Sequence, residues 1–307
     1  MKPNIDNSSL EDSSIENWAK EFWEVYEENN SNIKNLALAW LMIVEDASSV
    51  GEHIREKNYV KALQDLTHAF CWTLSFLNIL QYSTRIPKQF KLVNMNIDGY
   101  KIDNLSDIIW YKYPNCCPVC HSRACICPIL PSNAIENLKK EKKEDFAKKR
   151  HEKGQRPKSV KAWENMFGGI YSKSHELSTL KDVCFHYLEE VGEVAKAIRY
   201  LHDAEKPKDI ILYQTELIEE IADVLSWTFS LVRQIDSLLI FCTELGVFLN
   251  NYSSNNGKLQ FHQILWREYG DQKTGKIKCP ICNKRPCRCI QLKFLSENSR
   301  SASFPEK

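Results

Sequence analysis

Apolar residues recur every three or four positions through most of this chain, which is the spacing of α-helices packed along one side. In the second half, the spacing predicts helices at roughly 159–172, 177–203, 209–236 and 237–251. Few segments alternate residue by residue as half-buried strands do, and only 10 Gly and 11 Pro interrupt the 307 residues. The pattern predicts an all-α protein whose long helices are joined by short connections, as in four-helix bundles.

The same order of sequence blocks occurs twice. SIENWAKEFWEVY at 14–26 corresponds to SVKAWENMFGGIY at 159–171, and FCWTLSFL at 70–77 corresponds to LSWTFSLV at 225–232. Near the end of each half, DIIWYKYP and CPVCHSRACIC correspond to QILWREYG and CPICNKRPCRC. The offset grows from 145 residues in the first pair of blocks to 162 in the last, while their order is kept. The chain is therefore a tandem duplication with insertions.

The duplication divides the chain into two helical halves, two cysteine modules, a connector and a tail. We expect a first helical domain at 1–104, a cysteine module at 105–131, a charged linker at 132–158, an intact helical domain at 159–255, a second cysteine module at 256–293 and a disordered tail at 294–307. The connector has no apolar face before Phe146, which predicts a solvated segment, with contact between its lysines and nucleic acid as the alternative.

Two pairs of acidic residues interrupt the apolar pattern of the second half. Glu190 and Glu193 in HYLEEVGEVAKAIRYL are three positions apart, and Glu220 and Asp223 in ELIEEIADVLSW have the same spacing. Carboxylates so placed lie side by side on a helix and repel one another unless water or a cation neutralises them. Antiparallel helices would bring both pairs together, and grouped carboxylates are typical ligands of Mg²⁺. The alternative is two solvated helix faces.

Overall composition adds little to this interpretation. With 41 basic and 40 acidic residues, the formal charge of +1 points to no particular class of partner. The start of the chain is polar and acidic, unlike a signal peptide, and no apolar run approaches the roughly 20 residues that span a bilayer. We expect a cytoplasmic protein that does not contact membranes.

Eight of the 12 cysteines form two clusters with the same spacing, CPxC-x4-CxC. The first cysteine module contains Cys117, Cys120, Cys125 and Cys127, and the second contains Cys279, Cys282, Cys287 and Cys289. Clustered cysteines in a cytosolic chain favour metal ligation over disulfides, and four thiolates suit tetrahedral Zn²⁺. We expect two structural zinc sites, with an iron–sulfur cluster as the alternative. Basic residues around the second module also suggest contact with nucleic acid or a partner.

The stretch EEVGE at 189–193, followed by EIAD at 220–223, resembles the EExxE…ExxD signature of the MazG-like all-α nucleoside triphosphate pyrophosphohydrolases. The resemblance extends over about 175–235. It implies two tandem MazG-like four-helix bundles, each followed by a zinc module, with catalysis in the second. It also implies Mg²⁺-dependent hydrolysis of a nucleoside triphosphate to the monophosphate and pyrophosphate.

By this resemblance, four carboxylates would bind Mg²⁺: Glu190, Glu193, Glu220 and Asp223. Glu189 would be a further ligand or orient the attacking water. The candidates for contact with the triphosphate are four cations: Lys196, Arg199, Lys206 and Lys208. Because the family assembles as dimers or higher oligomers, a homo-oligomer or an intramolecular pseudo-dimer is expected. The alternatives are a non-catalytic nucleotide sensor or adaptor, and a zinc-dependent nucleic-acid-binding protein.

The first half departs from this signature. Alignment of the halves places Asp46, Ser49, Asp65 and His68 at the positions of Glu190, Glu193, Glu220 and Asp223. Serine and neutral histidine are poor Mg²⁺ ligands, so we expect no independent catalysis in this half. The alternative is a transition-metal site formed by three residues: Glu45, Asp65 and His68.

Overall fold

The computed structural model describes residues 13–30, 33, 35–92, 94–239, 260–287 and 289, and these residues are mostly helical. The first half contains α1 (Ile15–Asn30), α2 (Leu36–Arg55), α3 (Tyr59–Tyr82), an antiparallel hairpin of β1 (Met95–Ile97) and β2 (Tyr100–Ile102), and α4 (Leu105–Lys112). Short 3₁₀ turns lie at Lys88–Phe90, Cys127–Ile129 and Lys153–Gln155. The predicted all-α class is confirmed for the described part of the chain.

Among the described residues, two further helices form the connector and five belong to the second half. The connector contains α5 (Ser132–Glu141) and α6 (Lys143–His151). The second half contains α7 (Val160–Ile170), α8 (Ser172–Leu177), α9 (Leu180–Asp203), α10 (Pro207–Leu239), α11 (Phe261–Tyr269), and the antiparallel strands β3 (Gly270–Asp271) and β4 (Lys276–Ile277). The helix predicted at 237–251 lies outside the described residues after 239, as does the predicted tail at 294–307. No helix in the described ranges has the length and apolar surface needed to span a bilayer.

Local sequence signals set the ends of the two longest helices of the second half. α9 begins at a capping box, in which the backbone N–H of Asp182 donates to the Thr179 hydroxyl and the Thr179 N–H donates to the Asp182 carboxylate. Pro207 opens α10, where its missing N–H costs no helical hydrogen bond. These signals place α9 and α10 as a helical hairpin with a short turn between them.

The core of the molecule is shared by the two halves. The hairpin of α2 and α3 packs against the hairpin of α9 and α10, so each half contributes two helices to a single four-helix core. The Trp40 indole N–H donates to the backbone carbonyl of Val191 across this contact, at 2.9 Å. The separate bundle expected in each half is not seen among the described residues, and the last helix predicted for the second half lies mostly beyond residue 239. The second part of α3 favours the shared core, because nearly every residue from Ala69 to Leu80 is buried and needs neighbours on all sides.

The ends of the two halves are exchanged. α4 follows the helices of the first half but packs mainly on α10, and α11 follows those of the second half and packs both on α3 and on α7 of its own half. The Cys125 N–H donates to the carbonyl of Ile170 at 2.6 Å, and the Cys287 N–H donates to that of Val25 at 2.7 Å. These two bonds join matching positions of the duplication. Each cysteine module is thus docked on the first helix of the opposite half.

One buried residue docks the connector. The Phe146 ring stacks on His121 of the first cysteine module, with 4.0 Å between ring centroids, and is the buried residue of α6. Most other side chains of α5 and α6 are exposed, in keeping with a solvated connector. Beyond α6, Lys153 and Arg156 form ion pairs with the buried Asp107 of α4. The connector therefore lies along the first cysteine module and α4.

Candidate functional site

Three carboxylates converge where α9 and α10 face each other. Glu190 on α9 and Glu220 and Asp223 on α10 each offer an oxygen, and these oxygens lie within 4.8 Å of one another. Oxygens bound at about 2.1 Å to one octahedral Mg²⁺ are about 3 to 4 Å apart, so small side-chain rotations would accommodate the ion. We call these three residues the acidic cluster. Its donor set fits a hard divalent cation.

Burial makes the ionised form of this cluster costly. Removal from water raises the pKa of Glu190 to about 8, with further contributions from the charges of Asp223 and Glu220. Burial likewise raises the pKa values of Glu220 and Asp223, although Lys112 acts in the opposite direction on both. Three carboxylates held this way require positive charge nearby if all of them are to ionise.

Part of that charge comes from the first half of the chain. At the end of α4, Lys112 Nζ lies 2.5 Å from Asp223 Oδ2, and the Tyr113 hydroxyl lies 2.5 Å from Asp223 Oδ1. The hydroxyl of Ser226 donates in turn to that of Tyr113. Sequence reasoning did not assign these residues to the site. Their signal was the block DIIWYKYP, which is duplicated immediately before each cysteine module.

Two predicted carboxylates lie outside the cluster. Glu193 is 41% exposed and forms an ion pair with Lys196 on the same helix, at 2.6 Å. Glu189 is 64% exposed and lies 3.3 Å from His186. The structure therefore brings together three of the five predicted carboxylates.

The four predicted phosphate-binding cations are exposed and lie away from the acidic cluster. Lys206 lies in the turn between α9 and α10, Lys208 lies in the first turn of α10, and Arg199 packs over its neighbour Tyr200. At about 1.5 Å per residue, the turn is some 20 Å along α9 from Glu190. Neither these three residues nor Lys196 lines the cavity beside the cluster.

A cavity of about 610 Å³ opens beside Glu190 and Asp223. One wall is aromatic: the Trp227 ring stacks on those of His186 and Tyr171, at centroid distances of 4.8 Å and 5.7 Å. The first cysteine module forms a second wall, and the connector contributes Lys139, Phe146 and Arg150 to a third. The cavity thus combines metal-ligating oxygens, stacked rings and cations, which is the chemistry that a nucleotide requires.

The cysteine modules have the geometry of single-ion sites. Within each module, the four sulfur atoms lie within 4.8 Å of one another. Sulfur separations are 3.9 Å for Cys117–Cys127, 3.6 Å for Cys279–Cys289 and 3.8 Å for Cys282–Cys287. Four sulfurs at about 2.3 Å from a tetrahedral Zn²⁺ are about 3.8 Å apart, whereas a disulfide bond is about 2.05 Å long. Both modules therefore fit one tetrahedral ion better than a larger iron–sulfur cluster.

The first half contains a counterpart of the acidic cluster in which the pair of Asp223 with Lys112 is reversed in charge. His68 lies 3.2 Å from Glu268, and these residues match Asp223 and Lys112 in the duplication. Asp65 is paired with His53 at 3.3 Å, and Glu45 is exposed. Among the described residues, three groups bring metal-ligating atoms within 4.8 Å of one another, and this counterpart is not one of them. Its histidines lie beside carboxylates instead, with His53 next to Asp65 and His68 next to Glu268.

The geometry thus identifies a carboxylate cluster with the donor set for a divalent cation, its cavity, and two groups of four cysteines as the chemically competent parts of the described chain. Comparisons with protein-family models, with curated proteins and with solved structures find no match to this chain, and a function must therefore be assigned from the chemistry of these residues.

Proposed function

We propose that this protein is a Mg²⁺-dependent nucleoside triphosphate pyrophosphohydrolase whose site lies on α9 and α10. The observation that carries the proposal is the convergence of Glu190, Glu220 and Asp223 beside a cavity with stacked rings and cations. The resemblance of EEVGE and EIAD to the MazG-like signature supports the same chemistry. The substrate would be a nucleoside triphosphate, and the products a monophosphate and pyrophosphate.

Each residue of the site would have a separate role in binding the metal or the substrate. Glu190, Glu220 and Asp223 would hold Mg²⁺, which when bound neutralises charge on phosphate oxygens and lowers the pKa of a bound water. Tyr113 and Lys112 fix the position of the Asp223 carboxylate through one hydrogen bond each. The exposed ring of His186, stacked on Trp227, would contact the base, because stacking accepts any base with a π face.

The two cysteine modules would bind one Zn²⁺ each, in a structural role. Because the first module forms part of the cavity wall, its zinc would shape the substrate site without taking part in the chemistry.

The test is pyrophosphate release from a panel of nucleoside and deoxynucleoside triphosphates with Mg²⁺. We expect Glu190→Gln and Asp223→Asn each to reduce release at least about 100-fold, because a ligand of the metal is lost. Glu205→Gln is the matched control, since Glu205 is exposed in the turn between α9 and α10. Glu193→Gln should retain most of the activity, because Glu193 is paired with Lys196 outside the cluster. Absence of release from every nucleotide, with fold and zinc content intact, would refute hydrolysis.

A non-catalytic nucleotide sensor is the second candidate. The observation that favours it is the ion pair of Lys112 with Asp223, because a fixed ammonium group supplies part of the charge that a metal would bring. Tight nucleotide binding without turnover in the same panel would support the sensor. Nucleic-acid binding is less well supported, since Arg285 of the second module is already paired with Glu21 and Glu24.

A further inference from the structure

Arg150 on connector helix α6 has an unusual environment at the cavity. Its guanidinium carbon lies 4.1 Å from the ring centroid of Tyr111 and 4.7 Å from that of Phe146. The ion pairs of the described connector involve Lys149, Lys153 and Arg156, whereas Arg150 forms none. Two rings therefore hold the guanidinium in place, and no carboxylate in the described part of the chain pairs with it.

The polar atoms around Arg150 are left available for a ligand. Arg150 Nε is buried without a hydrogen-bond partner, and so is His121 Nδ1, in a residue that is 6% exposed. Both residues line the cavity, together with the exposed Lys139 of α5. Buried polar atoms without partners are costly and uncommon, so these two atoms point to a group that binds here.

The cavity separates its charges onto opposite walls. The acidic cluster, with Lys112 paired to it, lies at α9 and α10, whereas Arg150 and Lys139 lie on the connector. A ligand that spans both walls must chelate a metal at one end and carry negative charge at the other. A triphosphate meets both requirements, because its oxygens bind a divalent cation and its outer phosphates bind cations directly.

We propose that the connector is a phosphate-binding element, in which Arg150, assisted by Lys139, binds the outer phosphates of the substrate. This inference rests on the proposed function, because it assigns the far end of the same substrate. Arginine suits the role since its planar fork can donate two parallel hydrogen bonds to one phosphate group. The rings of Tyr111 and Phe146 keep that fork oriented before the substrate arrives.

The experiment measures binding rather than turnover. The probes are α,β-methylene nucleoside triphosphates of four bases and the matching monophosphates, each with Mg²⁺, titrated by calorimetry. Arg150→Met keeps an aliphatic stem against the rings but removes the charge. Lys148→Met is the matched control, since Lys148 is exposed on the same helix and does not line the cavity.

We expect Arg150→Met to weaken binding of the triphosphate analogue about 10- to 100-fold, as the loss of charge-assisted hydrogen bonds to phosphate would. Binding of the monophosphate should change less than about twofold, because it lacks the outer phosphates. Lys148→Met should bind both probes as the unaltered protein does. Equal affinity of Arg150→Met and the unaltered protein for the triphosphate analogue would overturn the inference, and so would no binding of any analogue to the unaltered protein.

A second variant covers the case in which Arg150→Met does not fold, which its melting temperature would reveal. Lys139→Met changes an exposed side chain, so the fold should tolerate it, and unchanged affinity for the triphosphate analogue would then count against the proposal. A different result would show that the proposed hydrolysis is wrong while the role of Arg150 in binding is right. In that case the unaltered protein binds the analogue through Arg150 but releases no pyrophosphate from any hydrolysable nucleotide.

Discussion

Asp223 shows at the scale of single residues how the site depends on both halves of the chain. Its buried carboxylate is held by Lys112 and Tyr113, which lie more than 100 residues earlier in the sequence. A buried carboxylate that loses its partner keeps the cost of leaving water without the compensating attraction. The ion pair of Lys196 with Glu193 is exposed, and there water screens both charges.

The first prediction follows from this contrast. Lys112→Met should lower the free energy of unfolding by about 3 kcal/mol without metal, because it leaves the acidic cluster without its cation. Saturating Mg²⁺ should recover part of that loss, since the ion supplies positive charge at the same carboxylates. Urea unfolding with and without Mg²⁺ measures both effects. Lys196→Met is the control, and an equal loss in the two variants would contradict the prediction.

At the scale of elements, the two cysteine modules have the same form but different surroundings. His121 and Asn283 occupy matching positions and share a left-handed backbone with φ of 54°, which Asn and His accept more readily than most residues. The first module nevertheless lies on α7 and lines the cavity, whereas the second lies on α1 in the other half. We therefore expect both modules to bind the same kind of metal ion, but only the first module to influence the cavity.

Substitution of one matching cysteine in each module tests this difference. Cys120→Ser and Cys282→Ser should each reduce the bound zinc from two ions to one per chain, because a tetrahedral site loses a ligand. Only Cys120→Ser should weaken binding of a triphosphate analogue, by at least about tenfold, since it loosens a wall of the cavity. Metal analysis and calorimetry provide the two measurements. Equal effects of both variants on nucleotide binding would refute the assigned roles.

At the scale of the whole molecule, the halves are interlocked. The central core takes α2 and α3 from one half and α9 and α10 from the other, and each half docks its last helix and cysteine module on its neighbour. A half on its own would expose the apolar faces that these contacts cover. We therefore expect the duplicated sequence to unfold as one cooperative unit.

Division of the chain in the connector tests this cooperativity. We expect fragments 1–154 and 155–307, when produced together, to copurify as a complex that unfolds in one transition, because the exchanged elements join them without a covalent link. Each fragment alone should aggregate or lack a cooperative transition. Affinity purification and thermal unfolding monitored by circular dichroism are the measurements. Two stable monomeric fragments with separate transitions would show that the exchange is not needed for folding.

Much of this arrangement was predictable from short stretches of sequence. The helical spacing predicted α9 and α10, the repeated blocks predicted the duplication, and CPxC-x4-CxC predicted each group of four sulfurs. The i,i+3 acidic pairs predicted three of the residues that converge. These features depend on residues close together in the chain, because helix periodicity, caps and metal-ligand turns are set by local backbone geometry.

The tertiary structure alone decided which distant elements meet. It exchanged the ends of the halves, brought Lys112 and Tyr113 to Asp223, and placed Arg150 on the cavity. It also excluded Glu193 from the cluster, although the sequence spacing treats it like Glu190. Helical spacing identifies which face of a helix is buried but not what covers it. That choice depends on how all the apolar faces of the chain can be covered at once, and no single segment carries the information.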